Sequence, residues 1–341
     1  MAKKILVTGG LGFIGSHTTV ELIKSGYEVV IIDDLSNSQL LILDNIEKIT
    51  GTRPLFYELD MVDYEKLINF FNLEKNIDAV IHFAASKAVG ESMIVPLKYF
   101  RNNLYSLINL LDCMKTSGIK NIVFSSSATV YGDPDDLPVT EDTAFKPALS
   151  SYGSTKQMGE DILRKVAATG SIDCIALRYF NPVGAHDSAL LGESPVGTPN
   201  NLMPFVTQTA AGTRKELVVF GDDYNTADGT CIRDYIHVVD LAKAHVKSCN
   251  RLLSQGVKNN YEVFNIGTGI GISVLQIIQA FEKYNDIKLN YKIGDRRAGD
   301  APAIYADVSL ANKILDWKAE LGLKEMVISS WEWQKKITNN V

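Results

Sequence analysis

Residues 8–17 read TGGLGFIGSH. The apolar run KKILVT (3–8) leads into this stretch, and a helix-like segment from about Ile14 to Ser25, stopped by Gly26, leads out of it. Gly9, Gly12 and Gly15 therefore stand at GxxGxxG spacing between a strand and a helix. Glycines there let the backbone turn tightly and approach a pyrophosphate, and the helix N-terminus offers it free N–H groups. A plain tight turn from strand to helix would use the same letters. The next strand, YEVVIID (27–33), ends in Asp33 and Asp34, at about the 20-residue spacing where a carboxylate accepts from adenosine ribose hydroxyls. A carboxylate there repels a 2′-phosphate, so the segment predicts a dinucleotide site that prefers NAD to NADP.

Outward from this unit the alternation continues. A charged helical stretch leads to PLFYELD (54–60), whose end, Asp60 and Met61, is the edge where an adenine would lie; a simple turn acid is the other reading of Asp60. Asp63 opens a helical stretch, and DAVIHFA (78–84) is the next strand. A long helix is predicted from about Pro96 to Thr116. NIVFSSS (121–127), a helix from about Tyr152 to Ala168, and DCIALRYF (173–180) follow. Strands and helices alternating in this way predict an α/β protein with a Rossmann-type, doubly wound parallel sheet covered on both faces.

After about Asn181 the texture changes. Residues 182–200 are rich in proline and glycine and read as a long functional loop. Further strand and helix signals suggest a smaller mixed α/β C-terminal domain that binds substrate. The expected division is 1–180 for the dinucleotide-binding domain and 181–341 for the second. The two are partly interleaved, because VFNIG (263–267) can return as a strand to the main sheet.

Composition excludes several classes. With 34 basic and 40 acidic residues the net charge is -6, and no long basic run offers a nucleic-acid footprint. Cys113, Cys174, Cys231 and Cys249 are scattered without CxxC spacing, so neither a zinc site nor a disulfide framework is expected. No apolar run approaches the roughly 20 residues of a membrane span. No signal peptide is predicted either, which points to the cytoplasm. The five histidines, His17, His82, His186, His237 and His245, read as structural, and no metal is expected.

The chemistry lies in YGSTK (152–156). A free tyrosine has a pKa of about 10 and is a poor base at pH 7. Tyr152 and Lys156 are four residues apart, so on a helix they share one face. The expectation is that the ammonium favours the phenolate and lowers that value. Ser127, at the carboxyl end of its strand in FSSSATVYG (124–132), can hydrogen-bond a substrate hydroxyl that Tyr152 deprotonates. Ser125 and Ser126 read as ordinary strand-end packing.

Together, TGGLGFIGSH, IHFAASKAVGES, FSSSATVYG, YGSTK, LRYFNPVGAH, NNLMPF and GTCIRDYIHVVDLA resemble the UDP-glucose 4-epimerases, a family of extended short-chain dehydrogenases/reductases, from about residue 3 to 337. The resemblance implies tightly bound NAD and inversion at sugar C4 through a transient 4-keto sugar. It implies that Tyr152 takes the 4-hydroxyl proton, Ser127 assists the oxygen, and Lys156 binds the nicotinamide ribose. It places Phe13, Ile14, Asn37, Phe83, Ala84, Lys87, Asn102 and Tyr179 along the NAD channel with Gly9, Gly12, Gly15, Asp33, Asp60 and Met61. For the UDP-sugar it implies Asn181, Asn200, Asn201, Leu202, Phe220, Arg233, Tyr235, Arg297 and Asp300. Arg233 and Arg297 would bind phosphate, a task to which a planar guanidinium is suited. It implies a homodimer joined by a four-helix interface, from helices near 96–116 and 152–168.

Three rivals frame this expectation. A nucleotide-sugar 4,6-dehydratase shares the first step but needs an acid and a base beside the sugar, which Ser127-Ala128-Thr129 does not supply. A decarboxylase acting on UDP-glucuronate needs little beyond the 4-keto step. A cofactor-sensing protein with a dead site would not need Tyr152, Lys156 and Ser127. One departure stands out: Ile304 follows GDAPA where stricter bacterial relatives carry tyrosine, which suggests some turnover of N-acetylated UDP-hexosamines.

Overall fold

A computed structural model describes residues 2–195, 197, 199–254, 256–297 and 300–339. Val196 and Thr198 of the proline- and glycine-rich segment, and Gly299 before Asp300, lie outside the described residues. The chain begins β1 (Lys4–Thr8), α1 (Phe13–Lys24), β2 (Glu28–Asp33), α2 (Leu41–Thr50), β3 (Leu55–Glu58), α3 (Tyr64–Leu73) and β4 (Ala79–His82). Next come α4 (Val89–Ile94), α5 (Pro96–Phe100), a π-helical turn at Arg101–Tyr105, and α6 (Ser106–Thr116). Then follow β5 (Asn121–Ser127), α7 (Ser151–Ala167), β6 (Asp173–Tyr179), β7 (Asn181–Val183), α8 (Leu202–Ala210), β8 (Leu217–Phe220), β9 (Ile232–His237) and α9 (Val238–Ser254). The remainder is β10 (Tyr261–Ile266), β11 (Gly271–Ser273), α10 (Val274–Asn285), β12 (Tyr291–Gly294), β13 (Ala303–Ile304), α11 (Ser309–Ile314) and α12 (Leu323–Asn339).

Seven parallel strands form the main sheet in the order β10-β6-β5-β4-β1-β2-β3. In β1 the period of two sends Ile5 and Val7 to one face and Leu6 to the other, and all three are fully buried. Both faces are therefore covered, which is why the strand reads as an unbroken apolar run. Val20 and Leu22 of α1, Ile46 of α2 and Leu241 of α9 cover one face. Leu67 of α3, Leu110 of α6 and Leu163 of α7 cover the other. Strand order reverses between β1 and β4, and sheets of this kind bind ligands at such a point, outside the carboxyl ends of the strands.

The return of β10 to the main sheet matches the sequence expectation. The interleaving goes further, since α9 also packs on this sheet. The second lobe is built around β9, which pairs with β7, β11 and β13. Sequence pattern alone did not mark β9, because it carries Arg233, Asp234, Tyr235 and His237 rather than an apolar run. Asp234 is fully buried and accepts from Thr268, Gly269 and Ala306 backbone N–H groups, so its polarity is satisfied internally.

The helix expected from Pro96 to Thr116 is continuous in direction but not in type. The π-turn at Arg101–Tyr105 widens it by one residue per turn, and such insertions gather at functional sites. Asn102 and Asn103 lie in it, both poor residues for a helix interior because their amides compete for backbone groups. The short α4 before it was not expected.

Candidate active site

The glycine loop is shaped for a close approach. Gly9 has φ +67, and a Cβ added at Gly15 would stand 2.2 Å from the Gly9 carbonyl oxygen, closer than any real contact. Gly12 caps α1 without a side chain, so the first N–H groups of the helix stay free for an anion. Asp33 closes the loop from β2: it accepts from Leu11 N at 3.0 Å, from Leu35 N at 3.0 Å and from Ser38 Oγ at 2.7 Å. Burial pushes its carboxyl upward against the pull of those three donors. A carboxylate has about four acceptor positions, so one remains for a ribose hydroxyl. Phe13 and Ile14 begin α1, and Asn37 lies exposed on the loop after β2.

Asn109 of α6 donates to the carbonyls of Met61 (3.0 Å) and Val62 (3.1 Å), fixing the turn after Asp60. Phe83 and Ala84 follow β4, with Ala84 N donating to Thr8 Oγ1 at 3.3 Å. Asn102 donates to Ser86 Oγ at 3.2 Å. Tyr179 ends β6, with its ring against His245 at 5.6 Å. Lys87 lies 3.2 Å from Glu193, and Glu193 in turn accepts from Asn201 Nδ2 at 2.6 Å, so one carboxylate joins the loop after β4 to the residues before α8.

Tyr152 and Lys156 lie on the face of α7 turned to β5. Ser150 caps that helix by accepting from Gly153 N at 3.1 Å, which sets where the first turn begins. Lys156 Nζ donates to the Ser125 carbonyl at 2.6 Å and lies 5.7 Å from the Tyr152 ring centroid. Ser127 stands near the Tyr152 hydroxyl. The placement is the one the spacing predicts, but the electrostatics are not. Burial pushes Tyr152 up to about 12, with the nearby Ser127 hydroxyl pulling the other way. Burial also pulls Lys156 down to about 7, opposed by the charge of Glu160. In the protein alone desolvation outweighs the attraction between phenolate and ammonium, because both charged forms are being taken out of water. The sequence expectation of a phenol lowered by its lysine is corrected to that extent.

Sequence reasoning missed two positions here. Asn103 accepts from Ser86 N at 2.8 Å and donates to Thr155 Oγ1 at 3.0 Å, tying the loop after β4 to α7. A pair of asparagines inside a predicted helix was the available signal. Ser126, read as plain packing, donates to Glu160 of α7 and is fully buried.

The residues expected at the sugar-nucleotide end lie on the second lobe. Asn181 opens β7 beside Tyr235 of β9. Asn200 and Asn201 precede Leu202, the first residue of α8. Asn201 spends its amide on Glu193 rather than capping, which leaves the N–H groups of that helix open to an anion. Arg233 is fixed in advance: Nη1 donates to the Ile232 and Ala301 carbonyls, each at 2.8 Å. Arg297 grips Asp300 through Nε (3.0 Å) and Nη2 (2.7 Å) and lies over the Phe220 ring at 5.9 Å. Asp300 also approaches Arg233 at 3.5 Å, so its carboxylate engages both guanidinium groups at once. Ile304, beside Arg233 in β13, packs with Ala128 and Phe180, a wall next to Ser127.

The histidines have structural partners. His82 bonds Thr8 (2.8 Å), His17 the Phe13 carbonyl (2.7 Å), His245 the Leu241 carbonyl (2.9 Å), His186 Ser188 (2.9 Å) and His237 Ser329 (3.1 Å). Burial pulls His17 and His82 down to about 3 and His237 and His245 down to about 4, so these four are neutral near pH 7. Among the described residues no cluster of His, Cys, Asp or Glu could hold a metal ion.

Comparison with known proteins gives one broad match and many specific ones. The family model described as GDP-mannose 4,6 dehydratase matches residues 6–329. The UDP-glucose 4-epimerase of Bacillus subtilis is 50% identical over 336 residues, 98% of each chain. That of Drosophila melanogaster is 46% identical over 342 residues, 98% of this chain and 97% of the relative. Among solved structures, a UDP-glucose 4-epimerase from Stenotrophomonas maltophila with bound NAD and formylated UDP-arabinopyranose has TM-score 0.96 at 47% identity, covering 99% of this chain and 100% of that one. The Bifidobacterium longum enzyme in complex with NAD+ and UDP has TM-score 0.95 at 48% identity, with the same coverage.

Proposed function

The chain belongs to the UDP-glucose 4-epimerase family, and from that premise we propose how its residues carry out the reaction. The protein interconverts UDP-glucose and UDP-galactose with NAD as cofactor, inverting C4 of the hexose through a transient 4-keto sugar. The dehydratase description of the family model reflects the first chemical step that the two groups share. At the triplet following β5 this chain has Ala128 and Thr129, neither of which can carry the protons of an elimination.

The observation that carries the residue assignment is the convergence of Tyr152, Lys156 and Ser127 where β5 and α7 meet. NAD, when bound, would supply the positively charged hydride acceptor that oxidation at C4 requires. Tyr152 accepts the 4-hydroxyl proton on the way to the ketone and gives it back on the way out. Ser127 bonds the same oxygen and so tracks it between hydroxyl and carbonyl. Lys156, held by the Ser125 carbonyl, is placed to stabilise negative charge on Tyr152 whenever it is protonated. The glycine loop and Asp33 would hold the pyrophosphate and adenosine ribose. Arg233, Arg297 and the start of α8 would hold the substrate diphosphate, with Phe220 and Tyr235 beside the uridine and Asp300 at its ribose. Asp300 must then exchange part of its grip on the arginines for the nucleotide.

The direct test is conversion of UDP-galactose to UDP-glucose by the purified protein, followed by chromatography. Tyr152→Phe should lower kcat about 100- to 10,000-fold while UDP still binds. An undiminished rate would remove Tyr152 from the mechanism. Run with UDP-N-acetylgalactosamine, the same assay tests the added proposal that Ile304 admits N-acetylated sugars.

Two further parts of this reading concern the whole molecule. Residues 1–180 form the NAD-binding domain and 181–341 the UDP-sugar domain, with α9 and β10 crossing back. The apolar face of Leu97, Tyr105, Ile108 and Met158, exposed on α5, the π-turn, α6 and α7, would be covered in a four-helix homodimer. Light scattering of Leu97→Asp should report a monomer where the unaltered chain reports a dimer. Its four cysteines are free and buried, in keeping with a cytoplasmic setting. Among the described residues no helix is long and apolar enough to cross a membrane.

A further inference from the structure

Behind the site lies a buried charge that the mechanism above does not use. Glu160 is fully buried on α7, one turn beyond Lys156 and two beyond Tyr152. Three successive residues of β5 meet these three helix positions. Ser127 stands near the Tyr152 hydroxyl, the Ser125 carbonyl accepts from Lys156, and Ser126 Oγ donates to Glu160 Oε1. From β6, Arg178 clasps Glu160 with both ends of its fork, at 2.9 and 2.7 Å. Arg178 is itself anchored by the Tyr131 hydroxyl (2.9 Å) and the Glu141 carbonyl (3.0 Å). A carboxylate held from two strands cannot move away from the lysine above it.

We infer that Glu160 is a positioning residue for the proton-transferring pair: its fixed carboxylate keeps the Lys156 ammonium charged and seated on the Ser125 carbonyl. The inference rests on the reading of Tyr152 and Lys156 given above. Facing Lys156 are Tyr152 and Glu160 from its own helix, the Phe124 ring from β5 at 5.0 Å, and neutral His82 from β4. Facing Tyr152 are Tyr99 of α5 and Tyr179 of β6. Facing Glu160 are Arg178 and Cys174 of β6, Tyr261 of β10 at 3.3 Å, and Arg164 of α7 at 3.9 Å. Within this group Glu160 brings the one carboxylate, and it opposes the loss of the Lys156 proton caused by burial.

Tyr152 and Lys156 titrate as a pair. Removing a neighbouring negative charge lowers both steps of that pair and shifts the retained proton from nitrogen toward the phenol. In the NAD-bound enzyme, Glu160→Gln should move the whole bell of kcat against pH down by about one pH unit, the low end for loss of a close charge. It should also lower the top of the bell. Glu160→Asp, which keeps the charge, should hold the bell in place. Gln alone leaves Arg178 buried and unpaired, which is strongly destabilising. The double variant Glu160→Gln with Arg178→Met removes that strain and, because it removes one charge of each sign, should keep a smaller downward shift of the bell while melting near the unaltered enzyme. A bell that stays put in Glu160→Gln, or returns to its original place in the double variant, would overturn the inference and leave Glu160 as a mere partner for Arg178. Tyr152→Phe, assayed alongside, separates the two levels. Full activity there would overturn the Tyr152 reading and this inference with it. An inactive Tyr152→Phe beside an unmoved Glu160→Gln bell would overturn this inference alone.

Discussion

Arg233→Met is the substitution whose consequences the structure specifies most closely. Its guanidinium is only 16% exposed and is bonded to two backbone carbonyls before any nucleotide arrives. No ordering cost is therefore charged to substrate binding, and the loss on substitution approaches the worth of a charge-assisted bond, about 1.5–3 kcal/mol. At about 1.4 kcal/mol per factor of ten, that is roughly 10- to 150-fold. The diphosphate is remote from C4 and is held alike in the ground and transition states. The loss should therefore appear in KM, with kcat within about threefold of its original value. UDP shares the diphosphate and lacks the hexose, so its inhibition constant should rise by the same factor as KM. The assay is initial rates of UDP-galactose conversion with and without UDP. Removing the fork also strips a donor from the Ile232 and Ala301 carbonyls, so the melting temperature must be followed to show that β9 and β13 remain paired. Arg233→Lys should recover only part of the affinity, since one ammonium cannot serve two carbonyls and a phosphate together. Unchanged KM and UDP inhibition, or a collapse of kcat at constant KM, would refute the reasoning.

Two more outcomes follow from the geometry. In Gly15→Ala the new methyl would meet the Gly9 carbonyl at 2.2 Å, forcing the loop open; released nucleotide, measured by absorbance after denaturation, should fall well below one per chain, and full occupancy would show the loop is not the pyrophosphate site. The second concerns Lys156, whose proton is lost near 7 in the folded chain and near 10.5 in the unfolded one. Between those values the unfolded chain holds the extra proton, so this residue's contribution to stability rises with pH. Measured by urea unfolding of the protein freed of nucleotide, the difference between the unaltered chain and Lys156→Met should therefore shift by about 2 kcal/mol in favour of the unaltered chain from pH 7 to pH 9. A difference that does not change with pH would mean that the ammonium is not desolvated.

Local spacing made the first lobe legible. Strands such as Ile5–Val7 are apolar throughout because both faces are covered, and a glycine loop between strand and helix has few other uses. Tyr152 and Lys156 could be placed together from a separation of four. The second lobe resisted because β9 keeps its polar residues inside by satisfying them, as Asp234 does with three backbone donors, and no periodicity signals that. The residues proposed for the nucleotide end, Phe220, Arg233, Arg297 and Asp300, come from separate strands and loops. Without the family resemblance nothing in their local sequence joins them. The π-turn was invisible for a related reason: it depends on how Asn102 and Asn103 bond Ser86 and Thr155, which are distant in sequence.

What a spacing rule cannot carry is the sign of an electrostatic effect. Four residues between a phenol and an amine establish that the groups meet. They do not establish whether the pair is stabilised as ions, because that depends on what else is buried with them. Here burial raises Tyr152 and lowers Lys156, so both tend toward their neutral forms. A site that left the pair there would hold its proton on the phenol, the wrong place for a base. Two sources of charge oppose this: the oxidised cofactor, which acts on the phenol only when bound, and Glu160, whose pull on Lys156 is permanent and keeps it from falling further. The fold provides the permanent one at some cost, since a buried carboxylate requires Arg178 to be buried with it. A chain selected for stability alone would do as well with apolar residues at both positions. The pair becomes intelligible when the lysine one turn away must stay charged in a dry site.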